Sequence, residues 1–202
     1  MNNKVTFIQD PFILKEKIAS IIKLSSVLPN QIFTDPAHFN FYFYDYYHCI
    51  DKSFISELYQ LGVLAEQKSF KICTPYEYYK KKKPRQFFST KVKMPYAIVD
   101  INCSEDEYDE VLEYSIEEDQ AVFLLFDDLY WYFNSKCLIY GDKTTEMSVL
   151  ALDKSILLDG SVRKKLMEVE SFIERQTEMN LDPGIDVEEF KKILIQNYSN
   201  KN

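Results

Sequence analysis

The residues with the most chemical promise are carboxylates that end apolar runs. Asp127 and Asp128 directly follow residues 121–126 (AVFLLF), and Asp100 closes YAIVD at 96–100. Strand-end carboxylates converge readily in space, and a convergent set is what a divalent-metal hydrolase uses to hold its ion and polarise a substrate. Asp100, Asp127 and Asp128 therefore form a candidate metal set, which Asp142, beside Lys143, could join. The plainer reading makes Asp127 and Asp128 the turn between two strands, because Asp side chains satisfy turn backbone locally. No further hydrolase motif accompanies them, so the turn is preferred and no metal or cofactor is assigned.

Other chemistry finds less support. The two histidines, His38 and His48, lie ten positions apart with no evident second ligand beside either. His48 and Cys49 are sequence neighbours whose side chains diverge on a strand, which argues against a nucleophile pair. Cys49, Cys73, Cys103 and Cys137 stand singly within or beside apolar segments, and the spacing suits reduced core thiols better than a disulfide framework or a zinc site. The chain has no G-x-S-x-G, H-E-x-x-H, P-loop or dinucleotide fingerprint. With 4 glycines in 202 residues, Gly-rich phosphate cradles are not expected. The sequence favours a protein without enzymatic activity.

Charge is segregated along the chain. Between Met94 and Ser135 there is no Lys or Arg, and the same interval carries most of the acidic clusters. On a helix opened by Ser104, the residues Asp106, Glu110, Glu113 and Glu117 recur at i, i+4, i+7 and i+11 and form one stripe. Like charges at that spacing cost about 0.2–0.5 kcal/mol per pair, so helix stability does not account for them. A solvated face that keeps the chain soluble is one explanation. Docking to the chain's own basic segment is another, and recognition of a basic protein partner, with Asp127 and Asp128 adjoining the stripe, is a third.

The basic segment spans 80–93, with Lys80, Lys81, Lys82, Lys83, Arg85, Lys91 and Lys93 among aromatic residues. Cations interleaved with rings could contact phosphates and stack on bases. The formal net charge of −8 opposes the general attraction that nucleic-acid binders use, so a solvated helix end is the preferred reading.

These residues need elements to hold them. Hydrophobic residues make up 46% and charged residues 28%, which suits a folded core, and 15 Phe with 15 Tyr make that core aromatic. Asp10-Pro11 begins an amphipathic helix over 12–26 with Phe12, Leu14, Ile18, Ile21 and Ile22 inward. Residues 38–50 carry aromatics at both parities, as a strand covered on two sides would, leaving open whether one side is core or a dimer patch. A helix with Phe54, Leu58, Leu61 and Leu64 follows over 51–67, capped by Asp51 or Ser53, and then a strand over 69–73. Thr74 and Glu77 form a capping box for a helix running to Lys83, with 86–92 extended beyond it. A strand over 96–101 precedes the second capping box, Ser104 with Glu107, whose helix turns Tyr108, Val111, Leu112, Ser115 and Ile116 inward. Strands at 121–126, 129–133, 136–140 and 146–152 are close enough for an antiparallel meander. Helices over 161–179 and from Val187 finish the chain before a polar tail. The pattern is α+β: a central antiparallel meander flanked by helices in a single domain over 1–202, with a helical C-terminal extension, 161–202, packed on it.

No apolar stretch approaches the roughly 20 residues that cross a bilayer. The first residues lack an export signal, so a cytoplasmic location is expected. Residues 117–152, EEDQAVFLLFDDLYWYFNSKCLIYGDKTTEMSVLAL, resemble the acidic, aromatic hairpin region of small bacterial immunity proteins from polymorphic toxin systems. The resemblance implies a cytoplasmic bacterial protein that binds and blocks a toxin, and it designates no functional residue.

Overall fold

The computed structural model describes residues 5–8, 12–24, 26–74, 78–79, 91–92, 96–114, 122–125, 127–158, 160–176, 181 and 184–200. The chain opens with β1 (Val5–Ile8), α1 (Phe12–Ala19), β2 (Phe39–Asp45), α2 (Tyr46–Cys49) and α3 (Ile55–Leu64). It continues through β3 (Ser69–Cys73), β4 (Tyr78–Tyr79), β5 (Lys91–Val92), β6 (Tyr96–Asp100) and α4 (Glu105–Leu112). It ends with β7 (Asp128–Asn134), β8 (Cys137–Asp142), β9 (Met147–Asp153), α5 (Gly160–Arg163), α6 (Val169–Arg175) and α7 (Val187–Tyr198).

Short polar turns join β7, β8 and β9 into the expected meander, and every neighbour in the main sheet is antiparallel. The sheet has seven strands in the order β1-β6-β3-β7-β8-β9-β2. Helices cover both faces, which gives the α+β architecture that helices before and after a strand cluster predict. On the first face α2, α3 and α4 pack over Leu129, Trp131, Phe133 and Ile139. On the second, α1, α6 and α7 pack over Tyr130, Tyr132, Leu138 and Tyr140.

β2 uses its aromatics on both sides, as their parities require. Phe39, Phe41 and Phe43 join the second face, while Tyr42 and Tyr44 join the first. The segment is core, although the extended stretch ends at Asp45, whose carboxylate accepts from His48 N at 3.2 Å and turns the chain into α2. All four cysteines are free and buried.

Three expectations are corrected. The helix from Thr74 to Lys83 is not formed at Tyr78–Tyr79, which pairs antiparallel with Lys91–Val92. Aromatic residues suit an extended ladder, and a partner strand overrides the local box pattern; the lysines at 80–83 lie outside the described residues. The 121–126 strand is instead a 3-10 turn, Val122–Leu125, that sinks Phe123 into the core; a short apolar run fits either form. The single helix over 161–179 is two, α5 and α6, because Met167 leaves the helical path and its carbonyl accepts from Phe43 N at 2.7 Å. Helix α1 is also shorter than its pattern: Phe12 is exposed, while Ile21 and Ile22 pack beyond its end.

Candidate functional site

Two groups of carboxylates stand out, and the sheet divides them. The first lies on α4. Ser104 Oγ accepts from Glu107 N at 3.2 Å and Glu107 Oε2 accepts from Ser104 N at 2.7 Å, the reciprocal capping box read from the sequence. Tyr108, Val111 and Leu112 are buried, and Asp106, Glu110 and Glu113 face outward. Tyr108 fixes the rotation of the helix: its hydroxyl donates to the Cys49 carbonyl and accepts from Trp131 Nε1, each at 2.8 Å. Asp106 reaches Lys52 at 3.6 Å, an exposed pair that contributes little. Glu117 lies outside the described residues.

The second group sits at one end of the sheet. Asp128 opens β7, Asp142 closes β8, and the register places them directly opposite. Alternation sends both toward the second face, with Tyr130 and Tyr140, so Asp128 does not share the surface of α4. The predicted surface of Asp106, Glu110, Glu113, Asp127 and Asp128 is therefore split, because successive strand residues face opposite ways and burial takes Asp128 inward.

Asp100 is corrected as well. β6 pairs it with Ser69, and β3 runs from there to Cys73 opposite Tyr130, so Asp100 lies at the far end of the sheet from Asp128. The set Asp100, Asp127 and Asp128 does not come together. Among the described residues, no three His, Cys, Asp or Glu side chains are grouped to hold a metal ion. The turn reading is half right: Asp127 is exposed at the bend and its carbonyl accepts from Lys143 N at 2.7 Å, but Asp128 is a buried strand residue.

Asp128 and Asp142 line a pocket of about 520 Å³ between this sheet end, the 27–29 loop and the start of α7. Val27, Leu28, Pro29, Ile185, Phe190 and Ile193 form its apolar wall; Asp127, Asp186 and Glu189 add exposed carboxylates, and Thr144 and Thr145 add hydroxyls. Tyr140 Oη donates to Asp128 Oδ1 at 2.6 Å. Asp142 Oδ1 accepts from Thr144 N at 2.9 Å and Thr145 N at 3.3 Å, an Asx turn fixing the carboxyl. Burial pushes the Asp142 carboxyl up to about 6, aided by the Asp128 charge and opposed by Thr145 and the two amides. Burial, with the charges of Asp142 and Asp128, also raises Tyr140 well above the ordinary phenol range. The Thr145 hydroxyl stands near enough to Asp142 to favour its ionised form, yet makes no hydrogen bond of ordinary geometry. Asp186 is engaged as the α7 cap, accepting from Glu188 N and Glu189 N at 3.0 and 3.1 Å.

Sequence reading missed Thr145, Asp186 and Glu189, which reach the pocket only through the docking of α7 and the 143–146 turn. It also found no partner for the histidines. His48 Nε2 lies 2.8 Å from Glu57 Oε1, and His38 pairs with Asp35 at 3.2 Å. A His at one end of α2 and a Glu on α3 give no local signal.

No protein-family model, curated protein or solved structure matches this chain. Among the described residues, no helix is long and apolar enough to cross a membrane.

Proposed function

We propose that this chain is a non-enzymatic binding protein that recognises a basic protein partner, in the manner of a bacterial cytoplasmic immunity protein that blocks a basic toxin. The observation that carries the reading is α4: its inward face is fixed by Tyr108, Val111 and Leu112, leaving Asp106, Glu110 and Glu113 outward. Carboxylates held on a capped, packed helix are a preorganised field rather than a flexible tail, and such a field acts mainly on association rate. The separate acidic pocket adds negative potential at the sheet end. The resemblance of residues 117–152 to immunity proteins supports the same class of partner.

The test is capture from lysate of the source cell by the wild-type chain and by a variant carrying Asp106→Lys, Glu110→Lys and Glu113→Lys, followed by kinetics on the captured protein. The reversal should slow association at low salt by about tenfold or more, and the difference should shrink at high salt, where screening is short-ranged. Association that is equally fast for both proteins at low salt would reject the surface.

A further inference from the structure

We propose that Lys71 is a covalent binding site for aldehydes that carry a short apolar group, its amine condensing with the carbonyl to form an imine. The site does not depend on the α4 surface.

The strand register places Lys71 on the second face of the sheet. β3 sets it opposite Ile98 of β6 on one side and Tyr132 of β7 on the other. Tyr132 and Cys73 belong to the core beneath α1, α6 and α7, whereas Ile98 is half-buried and joins neither core. Lys71 thus stands at the rim of the second core, half-buried, with apolar surface on both sides.

Little at this rim secures a positive charge. Among the described residues, neither Lys71 nor Lys17 forms an ion pair. The groups that face Lys71 are Lys17 from α1, Ile98 from β6, Tyr132 from β7 and Cys73 from its own strand. Burial, followed by the Lys17 charge, lowers the Lys71 ammonium below its ordinary range. An ionised Cys73 would oppose this, but burial holds that thiol well above its usual range and therefore neutral. The Tyr132 phenol is likewise raised by burial, and its ring lies 5.8 Å from Lys71 Nζ, at the outer limit of a cation–π contact. A lysine desolvated beside a second cation is the arrangement that amine nucleophiles use, because only the neutral amine has a free electron pair.

The neutral Nζ adds to the carbonyl carbon: a C–N bond forms, the carbonyl π pair moves to oxygen, and a proton passes from nitrogen to that oxygen. The C–O bond then breaks, the hydroxyl leaves as water with a proton from solvent, and nitrogen returns a proton to solvent. Amine and aldehyde give imine and water, with nothing oxidised or reduced. Ile98 and Tyr132 flank the amine with the surface on which an alkyl or aryl group rests.

Treating the full chain with butyraldehyde and cyanoborohydride at pH 7 traps the imine as a secondary amine, and peptide mass mapping reads the rate at each lysine. Lys71 should be alkylated at least about threefold faster than the exposed Lys154 and Lys164. Raising the pH should narrow that ratio, because exposed lysines gain free amine where Lys71 has already lost its proton. Lys17→Gln, at an exposed position, should slow Lys71 about twofold or more at pH 7 and leave Lys164 unchanged. Lys71→Arg keeps a cation and should remove the fast site. Circular dichroism establishes that both variants are folded.

Alkylation of Lys71 no faster than that of Lys154 and Lys164 overturns the proposal, as does a fast site that survives in folded Lys71→Arg. A fast Lys71 whose rate is unchanged by Lys17→Gln supports the amine and overturns the role given to Lys17. A stronger preference for Lys71 with glyoxylate than with butyraldehyde overturns the apolar class in favour of an anionic aldehyde. The α4 charge reversals should leave all of these rates unchanged, so the two surfaces are tested separately.

Discussion

Asp128 and Asp142 face each other across the last rung of β7 and β8, and the phenol that binds the first, Tyr140, lies two residues before the second on the same face. The carboxyl pair is thus built into the strand register rather than into a loop. Among the described residues, Asp128 from β7 and the Tyr140 phenol from β8 lie beside Asp142, and Asp127, Asp186 and Glu189 line the same pocket.

Asp142→Asn should therefore raise stability at neutral and alkaline pH. The folded carboxyl titrates at about 6 against an ordinary 3.8, so the native state binds more protons than the unfolded chain between those values. Stability contributed by the protonated form is present below about pH 4 and is lost as pH rises through about 6. The amide cannot ionise and retains an oxygen for the Thr144 and Thr145 amides. At pH 8 the variant should gain on the order of 1–3 kcal/mol, and at pH 4 it should gain nothing. Urea unfolding of both proteins across that range decides the matter: parallel stability profiles would show that Asp142 is not held above its ordinary range.

Tyr108→Phe should cost about 2–4 kcal/mol, because it leaves two buried groups, the Trp131 indole N–H and the Cys49 carbonyl, without the oxygen that joined them. Trp131 is the sole tryptophan, so its emission reports directly on the site. Thermal unfolding should show the loss and native fluorescence should shift. A stability within about 0.5 kcal/mol of wild type would remove the relay as the anchor of α4.

The parts legible in the sequence were those specified by local rules. The α4 helix was readable because Ser104 and Glu107 cap it and its apolar positions have one period; the β7–β9 meander was readable because short polar turns separate apolar runs. The two-sided burial of β2 followed from aromatics at both parities. What was not legible depended on partners distant in sequence. Thr74 and Glu77 carry a capping-box pattern whatever Lys91 and Val92 do, and the pairing of Tyr78–Tyr79 with those residues settles the conformation. The 161–179 periodicity cannot register that Phe43 needs the Met167 carbonyl. Asp142 stood among the candidates, but only the β7–β8 register shows that its counterpart is Asp128 and not Asp100.

Gly141→Ala should destabilise by about 1–3 kcal/mol. A Cβ there would lie 2.9 Å from Trp131 Cζ3 and 3.1 Å from the Tyr46 ring, both held in the core. Gly160 has nothing within 4 Å of the equivalent position, so Gly160→Ala is the matched control, and in α5 it should be neutral or mildly stabilising. Equal midpoints for the two variants in chemical denaturation would contradict close packing at Gly141.

Asn200→Ala should both destabilise the fold and promote self-association. β2 is the terminal strand of the main sheet, and its outer edge would otherwise present unpaired backbone groups. Asn200 satisfies two of them: its Oδ1 accepts from Phe41 N at 2.6 Å and its Nδ2 donates to Phe41 O at 2.9 Å, as a neighbouring strand would. Met167 O takes Phe43 N on the same edge. Losing the amide uncovers a part-buried donor and acceptor, at a cost of about 1–3 kcal/mol. The uncovered edge lies in an aromatic strand, which favours edge-to-edge pairing between copies. Sedimentation velocity over a concentration series should show association by the variant that the wild type lacks. A monomeric variant of unchanged stability would mean that water replaces Asn200 without penalty and that the Met167 bond suffices to protect the edge.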